Sequence, residues 1–367
     1  MQQLRPAARL GALLALGALL LSGCAAQTPA HEVAGCPDVA IADLDIGVAA
    51  KDIKGTSTAC LANPVIDPID NPGTPALPAT VTDDSGTEVT VTDVSRILAL
   101  DISGTLAATV WGLGLGENLV GRDAATQFPG TEDLEIATGA SHTLNAEAIL
   151  ALEPTVLFLD GSLGPKAVRQ QLAEAGIPVV MITQDRTIDN ISEIVDSVAA
   201  ALGLSETGTR LDTRIAQELA ASQAEIDKIV PTAEADRPRV VFLYARGGAG
   251  IYYLFGEGSG ADALIRSIGG VDVAEEIGWT GMKPMTAEAL LDSRPDVLLM
   301  MTDGLESVGG VDGLLEQIPA LQQTPAGLNR RIVDMDGTEI LGFGPRTPRI
   351  IEALARALYT EPAAGNE

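Results

Sequence analysis

The chain repeats itself. Residues 144–159 (LNAEAILALEPTVLFL) line up, 141 positions later and without a gap, with residues 285–300 (MTAEALLDSRPDVLLM). Each copy reads as a short helix opened by a capping side chain (Asn145 or Thr286), stopped by Pro154 or Pro295, and followed by an apolar strand. One helix and one strand cannot bury their own apolar surface. A repeated pair this far apart therefore predicts two related α/β lobes, each with its own sheet.

The rest of the chain fits that frame. Residues 81–91 alternate around a turn and predict a hairpin. The apolar runs at 96–100 and 178–182 alternate with helical patterns at 103–115 and 163–175, which predicts mostly parallel sheets covered by helices. Between the lobes, Leu211, Ile215, Leu219, Ile226 and Ile229 recur at helical spacing over 207–229, just before Pro231. At 1.5 Å per residue that helix is ~35 Å long and can run behind both lobes. A single crossing helix is a stiff hinge and argues against a large clamshell closure. The expected class is α/β: two Rossmann-like lobes joined by one long backbone helix, with a ligand cleft between them.

The first residues read as an export signal. Arg5 and Arg9 precede the uncharged apolar run 10–21, which is too short to span a ~30 Å hydrocarbon core comfortably. Leu21-Ser22-Gly23-Cys24 follows at once and resembles a bacterial lipobox, in which the cysteine is acylated and becomes the new N-terminus. Pro64, Pro68, Pro72, Pro75 and Pro78 then fall in a stretch without periodicity, which predicts a semi-extended tether. The expected organisation is a signal peptide at 1–23, a lipidated tether at 24–79, an N-terminal lobe at 80–203, the connecting helix at 204–232 and a C-terminal lobe at 233–360. Cys36 and Cys60 are an even pair in an exported chain and read as a disulfide, with two free thiols as the alternative. The net charge of −27 argues against nucleic acid, which needs clustered Lys and Arg.

In that order of parts, the motifs Asp-Ile-Ser-Gly-Thr-Leu-Ala (101–107), Leu-Gly-Leu-Gly-Glu-Asn-Leu-Val-Gly-Arg-Asp (113–123) and the two Glu-x-(Ile/Leu)-Leu-x-x-x-Pro blocks resemble the periplasmic-binding-protein group that serves siderophore, cobalamin and haem ABC importers. The resemblance spans roughly residues 80 to 360. Gly-Ala-Ser-His-Thr-Leu-Asn (139–145) and Val-Val-Phe-Leu-Tyr-Ala-Arg-Gly-Gly (240–248) are most similar to HmuT-type haem-binding lipoproteins. That resemblance implies ferric haem b as transported ligand, with His142 and Tyr244 on the iron from opposite lobes and Arg246 supporting the tyrosine. It also implies an ABC haem permease with its ATPase as partner, supplied in turn by cell-surface haem proteins. Glu147 and Glu288, equivalent in the two repeats, would meet permease arginines, although two solvated helix-start glutamates explain them nearly as well. The chain is expected to act as a monomer on the outer face of the cell membrane, held by lipid.

The residues carry chemistry of their own. His142 precedes a helix start, where the positive end of the dipole favours the neutral imidazole that binds metal. Tyr244 ends an apolar run, and Arg246 shares its face if the chain stays extended. A guanidinium donating to the phenolic oxygen stabilises phenolate, an anionic ligand suited to ferric iron. Met301, at the end of another apolar run, is the preferred wall of an apolar slot, with Met300, Trp279, Met282 and Phe343 as further candidates. An enzyme is disfavoured: there is no Gly-x-Ser-x-Gly elbow, His-Glu-x-x-His helix or Walker loop, and the glycine-rich turn at 256–261 is a weak dinucleotide match. A siderophore or cobalamin carrier is the main alternative, distinguished by not ligating iron through both His142 and Tyr244.

Overall fold

The computed structural model describes residues 36–139 and 143–362, so the expectations for the leader, for Cys24 and for His142 lie outside the described residues. Among the described residues, twelve strands make three sheets: β1 (Thr56–Ala59), β2 (Ala79–Thr82), β3 (Glu88–Val91), β4 (Ile97–Leu100), β5 (Val156–Leu159), β6 (Val179–Met181), β7 (Arg239–Arg246), β8 (Ile251–Phe255), β9 (Val271–Asp272), β10 (Met282–Pro284), β11 (Val297–Met301) and β12 (Ile332–Met335). In the first lobe β4, β5 and β6 form a parallel sheet, with Ile97 opposite Val156 and Leu157 opposite Val179. Every residue of β4 and β5 is buried, as expected for parallel strands covered on both faces. The hairpin expected at 81–91 forms from β2 and β3.

The second lobe holds the larger sheet, in the order β1-β12-β11-β7-β8-β10, with β9 also paired to β7. Strands β1, β12, β11 and β7 are parallel; β8 runs antiparallel to them, because a tight turn at 247–250 returns the chain directly beside β7, and β10 pairs antiparallel with β8 and so runs in the direction of β7. The repeated units form as expected. Helix Ala146–Ala151 is capped by the Asn145 side chain accepting from Ala148 N, and helix Ala287–Ser293 by Thr286 accepting from Ala289 N. One 22-residue helix, Ser205–Ile226, joins the lobes. It buries Leu211, Ile215 and Ile226, and packs on helix Ile191–Ala201 of the first lobe and on helix Thr347–Tyr359 of the second.

The described part of the expected tether, from residue 36 to 79, is instead folded onto the body. Ile41, Ile53, Leu61, Ile66 and Ile69 are buried, β1 adds an edge strand to the second lobe's sheet, and Cys36 is bonded to Cys60. The prolines misled the reading because this segment satisfies its backbone by other means. Arg210 donates to the carbonyls of Asp70 and Asn71, Arg214 to that of Asp67, and Arg349 to those of Asn63 and Val65. Arg331, wholly buried, ties Gly55 O and Ser57 Oγ to the last carbonyls of the C-terminal helix at Ala357 and Leu358. Its burial pushes the guanidinium down to about 10. The second lobe is therefore not confined to 233–360: its sheet begins at residue 56.

Candidate functional site at the lobe rims

Tyr244 stands near the carboxyl end of β7, which continues through Arg246. Alternation along the strand sends Phe242, Tyr244 and Arg246 to one face, while Val241, Leu243 and Ala245 pack into a separate core on the other. Tyr244 is half-buried and Arg246 exposed. The Tyr244 ring stacks on Phe255 at 6.1 Å between centroids and 22° between planes, and Phe255 stacks in turn on Phe242 at 4.8 Å. The phenol is thus held by an aromatic row that starts in the core. Met301 ends β11, half-buried on the same core as Tyr244. Leu299 pairs with Phe242 in the parallel register, so two residues further along each strand Met301 and Tyr244 stand at one level.

The first lobe's rim is organised by buried acids that sequence reasoning missed, although Asp101 and Asp160 each directly follow a buried apolar strand, β4 and β5. Asp101 caps the helix Thr105–Val110, accepting from Ser103 N, Thr105 N and Leu106 N. Asp123 accepts from the backbone N–H groups of Asp101, Ala125 and Thr126. Asp160 accepts from Ser162 N and Oγ and pairs with Arg186 at 2.5 Å, with Asp101 3.9 Å from the same nitrogen. Ser162 Oγ in turn receives Ile102 N. The described residues on either side of 140–142 are tied to each other and to this frame: Gly139 N donates to Thr143 O, Leu144 N to Gly164 O, and Ala124 N, next to Asp123, to Thr138 Oγ1. His142 itself lies outside the described residues.

The lobes meet where Gly260 approaches Arg186. A Cβ on Gly260 would lie 2.2 Å from the Arg186 carbonyl oxygen and 3.0 Å from the Phe343 ring, so only glycine fits there. Nearby, Arg346 of the second lobe lies 5.5 Å over the Phe128 ring of the first and 3.6 Å from Glu339.

The remaining candidates divide. Phe343 is buried at this junction, and Met300 points into the core on the far side of the sheet. Trp279 also packs on that far side, its Nε1 donating to Leu254 O, and so stands apart from Tyr244. Met282 is exposed on β10. Glu147 and Glu288 are exposed in the first turns of their matching helices. The glycine-rich turn at 256–261 follows β8, an antiparallel strand, and not the first strand of a parallel β-α-β unit. A cavity of about 650 Å³ opens elsewhere, between the hairpin, β6 and helix Ile191–Ala201, and has no aromatic lining.

The acid frame has a pH consequence. Burial, then the charge of Asp101, pushes Asp123 up to about 7 and Asp160 up to about 6. Burial pushes Asp272, which caps Ala274 N, up to about 6. A carboxyl raised in the folded state holds its proton where the unfolded chain, titrating near 4, has lost it. Its stabilising contribution is complete below pH ~4 and is lost as pH rises through 6 to 7. We expect the urea midpoint to be higher at pH 5.5 than at pH 8, by on the order of 2 kcal/mol in stability, and Asp123→Asn to flatten that slope. A midpoint that climbs steadily over this range would contradict the assignment.

Residues 99–338 match the model of a family described as periplasmic binding protein. None of the curated proteins matches at the level of sequence. Among solved structures, the heme binding protein HmuT is 38% identical with a TM-score of 0.80, covering 86% of this chain and 100% of that one. Alanine variants of that protein at a histidine, a tyrosine and an arginine are similar too, the tyrosine and arginine standing two positions apart. Periplasmic heme-binding protein RhuT from Roseiflexus sp. RS-1, in apo form, is 36% identical with a TM-score of 0.64, over 73% of this chain and 98% of that one. HutB, a periplasmic heme binding protein of Vibrio cholerae, is 29% identical with a TM-score of 0.62, over 73% and 100%. The family and these neighbours are binding proteins, not enzymes. Among the described residues no helix is long and apolar enough to cross a membrane.

Proposed function

The chain belongs to the periplasmic binding protein family, and from that premise we propose that it is a haem-binding lipoprotein that captures ferric haem b outside the cell membrane and hands it to an ABC-type haem permease and its ATPase. The observation that carries this reading is Tyr244 at the carboxyl end of β7 with Arg246 two residues on, on the same face of the strand. A haem-binding neighbour has a tyrosine and an arginine at that spacing. Open α/β sheets bind ligands beyond the carboxyl ends of their strands, where Tyr244 and Met301 stand.

In this reading Tyr244 and His142 ligate one iron from opposite lobes. Arg246 supports the phenolate, and Met301 contributes an apolar wall to the porphyrin slot. Glu147 and Glu288 dock the permease, and the protein works as a monomer that takes haem from cell-surface donors. Titrating the purified protein with haemin tests the reading: a shifted, saturating Soret band at one haem per chain is expected. An unchanged haemin spectrum together with tight binding of a ferric siderophore or cobalamin would replace it with the alternative carrier.

Acylated Cys24 supplies the membrane anchor, consistent with the apolar run and the Leu-Ser-Gly-Cys that precede it. Cys24→Ala is expected to move the protein from the membrane fraction to the medium. Continued membrane retention with no labelled acyl chain would rule the anchor out.

A further inference from the structure

Tyr253 has no role in the proposed function, yet it is the residue that β8 sets opposite Tyr244. In the antiparallel ladder of β7 and β8 the two tyrosines are paired residues, and paired residues share a face of the sheet. Both are half-buried on the same core, with ring centroids 6.4 Å apart and planes tilted by 59°. One strand further out Pro284 pairs with Tyr253, and one strand the other way Met301 stands level with Tyr244. Pro284, Tyr253, Tyr244 and Met301 therefore form one transverse row at the carboxyl end of β7 and β11. At ~4.8 Å between strands the row is about 14 Å wide, enough to support a planar tetrapyrrole.

Two further observations favour a ligand over ordinary core filling. The chain has 4 Tyr, 5 Phe and 2 Trp, and four of these eleven aromatic side chains, Phe242, Phe255, Tyr244 and Tyr253, are gathered on this one face. The turn joining β7 to β8 is Gly247-Gly248-Ala249-Gly250, and the Cβ positions at Gly248 and Gly250 face open space. The turn lies beyond the paired Arg246 and Ile251 and carries a single methyl group, so it adds little bulk at that end of the face.

We infer that Tyr253 is a second porphyrin contact, packing its ring against the macrocycle beside the iron-bound oxygen of Tyr244 without ligating the metal. This rests on the haem reading. Residue 253 then adds to haem retention without altering the ligand field, whereas residue 244 sets the ligand field and the larger share of retention. The stacking surface of a ring is kept by phenylalanine and lost in alanine.

The test compares Tyr253→Ala and Tyr253→Phe with the unmodified protein in three measurements: transfer of haem to excess apomyoglobin, the charge-transfer bands of the ferric complex, and binding of metal-free protoporphyrin by fluorescence. Tyr253→Ala is expected to lose haem about tenfold faster and to bind metal-free protoporphyrin about tenfold more weakly, with the bands unchanged. Tyr253→Phe should stay within about twofold of the unmodified protein on all three counts, which also separates loss of contact from loss of fold. Unchanged haem transfer in Tyr253→Ala would overturn this inference alone. Altered charge-transfer bands in Tyr253→Phe would overturn it too, since the hydroxyl would then reach the iron. A failure of the unmodified protein to bind haemin would remove the haem reading, and this inference with it.

Discussion

Tyr244→Ala is expected to accelerate haem loss at least about a hundredfold, equivalent to about 2.7 kcal/mol, and to change both the Soret and charge-transfer bands. In the proposed reading the substitution removes the anionic oxygen from ferric iron, and it empties one place in the stacked row with Phe255 and Phe242. Tyr244→Phe separates the two causes. It keeps the ring, so a spectrum like that of the alanine variant assigns the effect to the oxygen. His142→Ala should act in the same direction by about tenfold, because neutral imidazole binds ferric iron less strongly than phenolate. Arg246→Ala should do less than Tyr244→Ala, since it weakens support for the phenolate and leaves the bond in place. Wild-type spectra and haem retention in both Tyr244→Ala and His142→Ala would show that the cleft holds its ligand by other means.

Reversing both repeat glutamates, Glu147→Arg with Glu288→Arg, is expected to abolish haem uptake by cells while leaving haem binding intact. Each carboxylate is exposed in the first turn of its own helix, and the helices belong to the two lobes. A permease with paired basic sites would meet one carboxylate from each lobe, and reversal turns two attractions into two repulsions. The two glutamates also favour their helix dipoles, so each variant should lose a few tenths of a kcal/mol in stability. Circular dichroism and a haemin titration check that this loss is harmless. Unimpaired uptake by the doubly reversed protein would rule out the docking role.

Much of this site could be read in the sequence where a residue's position followed from local rules. Asn145 and Thr286 cap helices because their side chains reach backbone N–H groups three residues on, and the apolar runs beside Pro154 and Pro295 could only be buried strands. Tyr244 was legible as a strand-end residue because β7 is continuously apolar before it. Tyr253 was not, because its importance comes from the β7–β8 register, a long-range pairing invisible to periodicity. Phe343 and Trp279 were misread for a related reason. Both occur among glycines, but close packing against Gly260 buries one and a hydrogen bond to Leu254 turns the other to the far face. Apart from the short strand β1, the segment before residue 79 carried no periodic signal, since arginines from distant helices satisfy the carbonyls between Asn63 and Asn71.

That folded-back segment changes how far the protein can roam. With Cys24 acylated as proposed, a 55-residue tether would allow an excursion of up to about 190 Å when fully drawn out. Because Cys36 is stapled to Cys60 beside β1, the chain is fixed to the folded body twelve residues after Cys24, so the contour length from Cys24 to that point is at most about 40 Å. The volume swept scales with the cube of that radius. A short leash therefore raises the local concentration of carrier at any permease in the same membrane and turns recapture of the partner into a nearly intramolecular event. Reducing the disulfide and peeling β1 away would lengthen the leash without touching Tyr244 or Met301, so in the proposed reading supply to the permease would depend on a contact outside the ligand site.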